Sequence, residues 1–115
     1  GCCDVVIATE NANIGMGVAL GDKGLIVPVI KRAQALTLKE TATQLGDVTE
    51  RARKNQLKPA DVQGGTFTIS NHGVSGSLVA TPIIINQPQS AILGVGKLEK
   101  RVVVRSIDGT DAMVI

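Results

Sequence analysis

The side chains able to do polar chemistry are few, and the most suggestive of them sit together. His72 is the only histidine in the 115 residues, two positions after Ser70 and three before Ser75. An imidazole next to a serine could begin a nucleophilic pair, the ring taking the hydroxyl proton. Neighbours in a loop rarely point at one another, however, and no carboxylate is marked out to orient the ring. Gly73-Val74-Ser75-Gly76 also fails to complete the Gly-x-Ser-x-Gly elbow of hydrolases. His72 therefore reads as a loop histidine with no catalytic duty. With no second imidazole to join it, no metal site is expected. Cys2 and Cys3 are adjacent, a spacing that strains a mutual disulfide and lacks the Cys-x-x-Cys geometry of zinc or redox sites. They read as reduced thiols. Gly15-x-Gly17 and Gly94-x-Gly96 do not continue into Gly-x-Gly-x-x-Gly at a helix entrance, and no phosphate-binding Gly-x-x-x-x-Gly-Lys-Ser/Thr loop occurs.

Ser70 is the residue that the surrounding pattern singles out. Thr66-Phe67-Thr68-Ile69-Ser70 alternates between two faces as a short strand, and Asn71 to Ser77 is a run of small loop formers. A strand thus delivers a hydroxyl to a loop. Upstream, Asn13 to Leu20 reads as a Gly-rich strand and Leu25 to Ile30 as a buried one, joined by Gly21-Asp22-Lys23-Gly24 into a hairpin candidate. Pro28 cannot donate a ladder hydrogen bond, so its strand should lie at an edge, bulge, or stop pairing there. Thr37-Leu38-Lys39-Glu40 is a capping box that opens a helix. Leu38, Ala42, Leu45, Val48 and Ala52 then form one apolar stripe on it, and the helix should end near Asn55 with Arg51, Arg53 and Lys54 in its last turn. After Thr81 to Gln89, a second buried strand is expected at Ala91 to Gly96 and a third at Arg101 to Arg105, with an Asp108-Gly109 turn into Ala112 to Ile115. One helix against several strands argues for an α+β or mixed α/β layer, with strand directions open.

Composition excludes several function classes. Hydrophobic residues make up 43% of the chain and charged ones 19%, which suits a globular core of one domain. The core must be aliphatic, because Phe67 is the only aromatic residue. Twelve basic and ten acidic residues are spread along the sequence for a net charge of +2, so there is no basic stripe for phosphates and no stacking platform for bases. Nucleic acid is not an expected partner. No apolar run approaches the roughly 20 residues a membrane helix needs, and Gly1-Cys2-Cys3-Asp4 does not read as a signal peptide. The chain reads as soluble and intracellular.

Three segments, in this order and spacing, carry a resemblance. They are Gly24-Leu25-Ile26-Val27-Pro28-Val29-Ile30, Gly64-Gly65-Thr66-Phe67-Thr68-Ile69-Ser70-Asn71, and Thr81-Pro82 through Ala91-Ile92-Leu93-Gly94-Val95-Gly96. Together with the helix between the first two, they resemble the catalytic domain of the dihydrolipoamide acyltransferase family, the core component of 2-oxoacid dehydrogenase complexes. The resemblance runs from Ile14 to Val104, and Ser70-Asn71-His72-Gly73 is most similar to the succinyl-transferring and related bacterial branches. It implies a mixed sheet with a packed helix, like chloramphenicol acetyltransferase, in homotrimers that assemble into a larger core. It also implies acyl transfer between dihydrolipoamide and coenzyme A. In that chemistry a histidine deprotonates the thiol and a Ser or Thr hydroxyl hydrogen-bonds the oxyanion. Ser70 matches the hydroxyl position, and Asn71 and Gly96 match positions lining the coenzyme A channel.

The family's base belongs to an Asp-His-Arg-x-x-Asp-Gly motif that these 115 residues do not contain. Asp108-Gly109 is not that motif, and His72 lies beside the oxyanion position rather than at the base. Residues 1–115 are therefore expected to be part of a catalytic domain, an incomplete one that is inactive alone. A non-catalytic structural core subunit is the competing reading, and a free-standing small-molecule binding module is a third. The lipoyl domain, and the domain through which 2-oxoacid decarboxylase and dihydrolipoamide dehydrogenase are recruited, would lie elsewhere. The resemblance implies the bacterial cytoplasm or the mitochondrial matrix.

Overall fold

The computed structural model describes residues 6, 8–73 and 81–115; Cys2, Cys3, Ser75 and Ser77 lie outside the described residues. Eight short strands and one α-helix are found among them, besides three short 3-10 turns: β1 Ile14–Met16, β2 Val18–Ala19, β3 Leu25–Ile26, β4 Val29–Ile30, α1 Leu38–Arg53, β5 Phe67–Asn71, β6 Ile92–Val95, β7 Val103–Ile107 and β8 Thr110–Val114. The main sheet has the order β4-β1-β5-β6, with β1 antiparallel to β4 and parallel to β5, and β5 parallel to β6. This mixed sheet with one packed helix is the α/β arrangement expected.

The hairpin is a single register in two pieces. Ile14 pairs with Ile30, Gly15 with Val29, Val18 with Ile26 and Ala19 with Leu25. Between them Met16 N donates to Pro28 O (2.9 Å), but Pro28 has no N–H to return. The missing bond is tolerated because Pro28 enters β4, the edge strand of the sheet. Its ring is nonetheless fully buried. Gly21 and Gly24 supply the positive φ angles (64° and 92°) that close the turn.

Thr37 caps α1 as its sequence requires. Glu40 N donates to Thr37 Oγ1 (3.2 Å) and Thr37 N donates to Glu40 Oε2 (2.7 Å). The helix packs on β4, burying Val48 and Ala52, while Leu38 remains 88% exposed and Ala42 is exposed too. The apolar stripe is thus used only in its second half, because β4 is two residues long and offers nothing for the first turns to rest on.

Two junctions fix where β5 enters the sheet. Asn13, just before β1, donates through its backbone N to Thr66 Oγ1 (3.0 Å) and through Nδ2 to Gly64 O (2.9 Å), and its Oδ1 accepts from Arg32 N (2.9 Å). One amide side chain therefore ties the exit of β4 to the approach of β5. At the helix end, Arg51 donates to Asp47 Oδ2 (3.0 Å) and Asp61 Oδ2 (2.7 Å), and Asp61 also accepts from Lys58 N (2.8 Å). This cluster anchors the turn leading toward β5.

β6 is not the buried strand that its apolar sequence suggests. Leu93 and Val95 are 50% and 39% exposed, because β6 is the other edge of the sheet and no described element covers it. The β7–β8 hairpin forms a separate two-stranded sheet, turned by Asp108 and Gly109 at φ 51° and 79°. Both central residues having positive φ is what a two-residue hairpin loop needs. The radius of gyration, 18.3 Å, exceeds the roughly 13 Å of a compact chain of about 100 residues, in keeping with a hairpin that stands apart. No helix among the described residues is long and apolar enough to cross a membrane.

Candidate active site

Strand alternation places Thr68, Ser70 and His72 on one face of the sheet, since side chains two apart along an extended chain point the same way. β5 ends at Asn71, but the pairing continues one step further, with His72 N donating to Val95 O (2.7 Å). Thr68 and Ser70 are both buried (3% and 7% exposed). Thr68 Oγ1 donates to Gln89 Oε1 (2.5 Å). No hydrogen bond joins the Ser70 hydroxyl to another described residue, and it is not among the buried side-chain atoms left without a partner.

What surrounds Ser70 is unusual for a buried strand residue. In register, Ser70 lies opposite Gly94 on β6. On the other side β1 continues past Met16, which pairs with Ile69, to Gly17, whose N donates to Ile69 O (2.9 Å). The hydroxyl is thus flanked on both neighbouring strands by residues without side chains. A methyl group at Gly17 would meet only ordinary contacts, Ile69 O at 3.7 Å and Leu25 Cδ1 at 3.8 Å. A methyl at Gly94 would meet Pro82 Cγ at 3.1 Å and the His72 ring, Cδ2 and Nε2 both at 3.9 Å. The result is a trough across three strands, floored by backbone, with one hydroxyl in it. Only Pro82 crowds it, over Gly94; the His72 ring over Gly94 and Leu25 over Gly17 stand at ordinary contact distances.

The other two site residues are placed differently. Asn71 follows Ser70 and so projects to the opposite face; it is exposed, and its Oδ1 accepts from Gly73 N (2.8 Å). Gly96 lies just past the end of β6, where its carbonyl comes so close to Gly73 that a Cβ there would stand 2.6 Å from Gly96 O. Asn71 and Gly96 therefore meet through Gly73: the Asn71 side chain shapes a turn that lets two glycine backbones pass. Ser70 and Gly96 share the C-terminal edge of the parallel pair, whereas the Asn71 side chain is turned away from the trough.

Reading the sequence alone missed two things here: His72 shares the face of Ser70, and Pro82 crosses over Gly94. The sequence places both Gly-x-Gly pairs in strands; Gly15 and Gly94 lie in β1 and β6, and Gly17 and Gly96 just beyond them. The groups whose pKa values are displaced lie elsewhere, on α1 and the turn after it. The Lys58 backbone N–H and then the Arg51 guanidinium hold the Asp61 carboxyl below its usual value. The Thr37 backbone N–H and hydroxyl do the same for Glu40. Among the described residues no group of three or more His, Cys, Asp or Glu could hold a metal ion.

Comparison with known proteins agrees with this geometry. The family described as 2-oxoacid dehydrogenases acyltransferase (catalytic domain) matches residues 3–114. The chain is 44% identical over 108 residues to the dihydrolipoyllysine-residue acetyltransferase component of the Corynebacterium glutamicum pyruvate dehydrogenase complex, covering 93% of this chain and 16% of that protein. It is 50% identical over 95 residues to the dihydrolipoyllysine-residue succinyltransferase component of the Rickettsia felis 2-oxoglutarate dehydrogenase complex, covering 82% and 23%. Among solved structures, a probable dihydrolipoamide acetyltransferase from Listeria monocytogenes superposes with a TM-score of 0.82 at 41% identity, over 96% of this chain and 45% of that one. The cubic core of a pyruvate dehydrogenase multienzyme complex superposes at 0.78 with 33% identity, over 96% and 44%. The chain spans a quarter or less of the length of the curated relatives it matches.

Proposed function

We propose, for a chain that belongs to the family of 2-oxoacid dehydrogenase acyltransferase catalytic domains, that it supplies the oxyanion side of an acyl transfer between dihydrolipoamide and coenzyme A. The observation that carries this reading is Ser70, 7% exposed near the end of its strand and flanked by Gly17 and Gly94 on the neighbouring strands. A thioester carbonyl can be brought against backbone only where neighbouring strands carry no side chains. Fixed on a strand, the donor is aimed before charge develops and needs no reorganisation during the reaction.

In the proposed reaction one thiol, of coenzyme A or of dihydrolipoamide, gives its proton to a base. The thiolate attacks the acyl carbon, a carbon–sulfur bond forms, and the carbonyl electron pair moves onto oxygen. Ser70 donates its hydroxyl hydrogen to that oxyanion. Collapse restores the carbonyl, breaks the other carbon–sulfur bond, and the departing thiolate recovers a proton. The resemblance assigns the base to a histidine that residues 1–115 do not include, so these residues form part of the catalytic unit. Gly96, Gly73 and the Asn71 turn would border the path of the coenzyme A chain, where close backbone approach is needed.

The relatives act within pyruvate and 2-oxoglutarate dehydrogenase complexes, and assembly of this chain, as homotrimers, into such a core is part of the same reading. Partners then include a 2-oxoacid decarboxylase and dihydrolipoamide dehydrogenase, with the lipoyl group carried by a domain outside these residues. The setting implied is the bacterial cytoplasm or the mitochondrial matrix.

The test is acyl transfer by the complete gene product from acetyl- and succinyl-coenzyme A to dihydrolipoamide. Transfer that collapses on Ser70→Ala is expected. A fully active Ser70→Ala protein, or no transfer with either donor, would overturn the reading.

A further inference from the structure

Among the described residues, a single hydrogen bond joins the segment from Thr81 to Gln89 to the sheet: Thr68 Oγ1 donates to Gln89 Oε1 (2.5 Å). Two glycines make room for it. At Gly15, the register partner of Thr68 on β1, a Cβ would stand 3.2 Å from Thr68 Oγ1 and 2.8 Å from Val27 Cγ1. At Gly65 a Cβ would stand 2.9 Å from Gln89 Nε2. Thr68 is 3% exposed and Gln89 is half-buried, so the bond is sheltered, and it lies on the face of the sheet that Thr68 shares with Ser70. The segment starts on that face too, with Pro82 Cγ 3.1 Å from the Cβ position of Gly94, the register partner of Ser70. Residues 82–89 thus arch over the face from the level of Ser70 back to the level of Thr68. Ile84, in the middle, is 94% exposed, and the arch is fastened at its ends.

We propose that Gln89 is a positioning residue for the acyl donor: held by Thr68, it fastens the arch so that Pro82 borders the trough beside Ser70. The inference rests on the acyl-transfer reading of Ser70. Pro82 has no N–H with which to tie itself to the sheet, so its place depends on the segment that follows it. Gln89 fixes that segment through a hydroxyl whose own position is set on both sides, Thr68 being paired with Gly15 on β1 and with Ile92 on β6. Removing the acceptor leaves the Thr68 hydroxyl buried without a partner, a cost that displacement of the arch relieves by admitting water. The border then shifts with the arch. A border touches the bound donor before and during the reaction alike, so its loss weakens binding and leaves turnover in place. Ser70, by contrast, acts on charge that exists only in the transition state, and the two roles separate in KM and kcat.

The experiment measures kcat and KM of the complete gene product for whichever of acetyl- and succinyl-coenzyme A is the better donor. Gln89→Met keeps the length of the side chain without its oxygen, and is expected to raise KM at least about fivefold, the scale of one orphaned buried hydroxyl, with kcat within about twofold. Gln89→Glu and Thr68→Ser keep the acceptor and the donor, and should stay near the wild-type KM. Thr68→Val should match Gln89→Met, and combining the two should raise KM no further, because both break the same bond. The proposal is overturned by a Gln89→Met KM within about twofold of wild type, by a fall in kcat at unchanged KM, or by additive effects in the double variant. It is equally overturned if Gln89→Glu behaves like Gln89→Met, or if Gln89→Met and Thr68→Val are recovered only as unfolded protein. Ser70→Ala tests the underlying reading separately: it should lower kcat at nearly constant KM, and if it is silent the Ser70 reading fails whatever Gln89 does.

Discussion

Replacing Ser70 by alanine should separate turnover from stability. The side chain is 7% exposed and its hydroxyl has no described hydrogen-bond partner, so the substitution breaks no bond in the folded chain. The hydroxyl oxygen is not among the buried atoms left without a partner, so removing it relieves no desolvation penalty. The urea midpoint should therefore stay nearly unchanged. The same hydroxyl, once it faces an oxyanion, stabilises charge that exists only in the transition state. Loss of one such donor lowers kcat by roughly 10² to 10³, or about 2.7–4 kcal/mol, with little change in KM. The assay is steady-state transfer by the complete gene product alongside urea unfolding of both forms. Ser70→Thr should recover much of the rate, because the hydroxyl is kept and the glycines on either side leave room for the added methyl. A Ser70→Ala enzyme within about threefold of wild-type kcat, or one clearly less stable than wild type, would refute the argument that this hydroxyl serves catalysis.

Four further outcomes follow from the geometry. Gly73→Ala would put a Cβ 2.6 Å from Gly96 O and 2.9 Å from Gly96 C; the backbones must part, costing about 1–3 kcal/mol, and an unchanged urea midpoint would contradict it. Asp61 is held below its usual pKa by Lys58 N–H and Arg51, so the stability it contributes is full above its unfolded-state value and is lost as pH falls through its folded one. Asp61→Asn should flatten the acid limb of a plot of urea midpoint against pH, and identical limbs would refute it. The 115-residue chain should self-associate at micromolar concentration, because Val104, Met113 and Ile115 are 67%, 78% and 81% exposed on and just beyond the β7–β8 hairpin; a compact monomer on sedimentation is the contrary result. The same chain should show no transfer from acetyl- or succinyl-coenzyme A to dihydrolipoamide, and activity that vanished on His72→Ala would make the imidazole a base.

Local signals in the sequence translated directly into local structure. Thr37 and Glu40 form the capping box, Gly21 and Gly24 close the first hairpin, and Asp108-Gly109 turns the last one. Each depends on a few neighbouring residues whose backbone preferences are strong. Burial was less legible, because it depends on what lies opposite. Leu38 and Leu93 are apolar residues in regular elements, yet both are exposed, one beyond the reach of β4 and the other on an edge strand. The site divides in the same way. The Ser70 strand could be recognised from its flanking residues, and the resemblance supplied the hydroxyl's role. The trough could not, because Gly17, Ser70 and Gly94 come together only once β1, β5 and β6 are aligned in parallel, and parallel register leaves no turn in the sequence to announce it.

That dependence on register makes the anchors of β5 part of the site. A slip of one residue in β5 would send Ser70 to the far face and bring Ile69 or Asn71 between the two glycines. Three contacts oppose the slip. Thr66 is tied to Asn13 in both directions, through Thr66 N to Asn13 O and Asn13 N to Thr66 Oγ1. Gly17 N reaches Ile69 O beyond the last ladder pair of β1. Gly73 and Gly96 interlock at the far end with no room for a side chain between them. The first two hold β5 against β1, which sets Gly17 beside Ser70. The third holds it against β6, which sets Gly94 on the other side of Ser70. The hydroxyl's position is therefore determined at both ends of a five-residue strand, and the side chains most needed to keep it there, those of Asn13 and Thr66, are ones that would never touch a substrate.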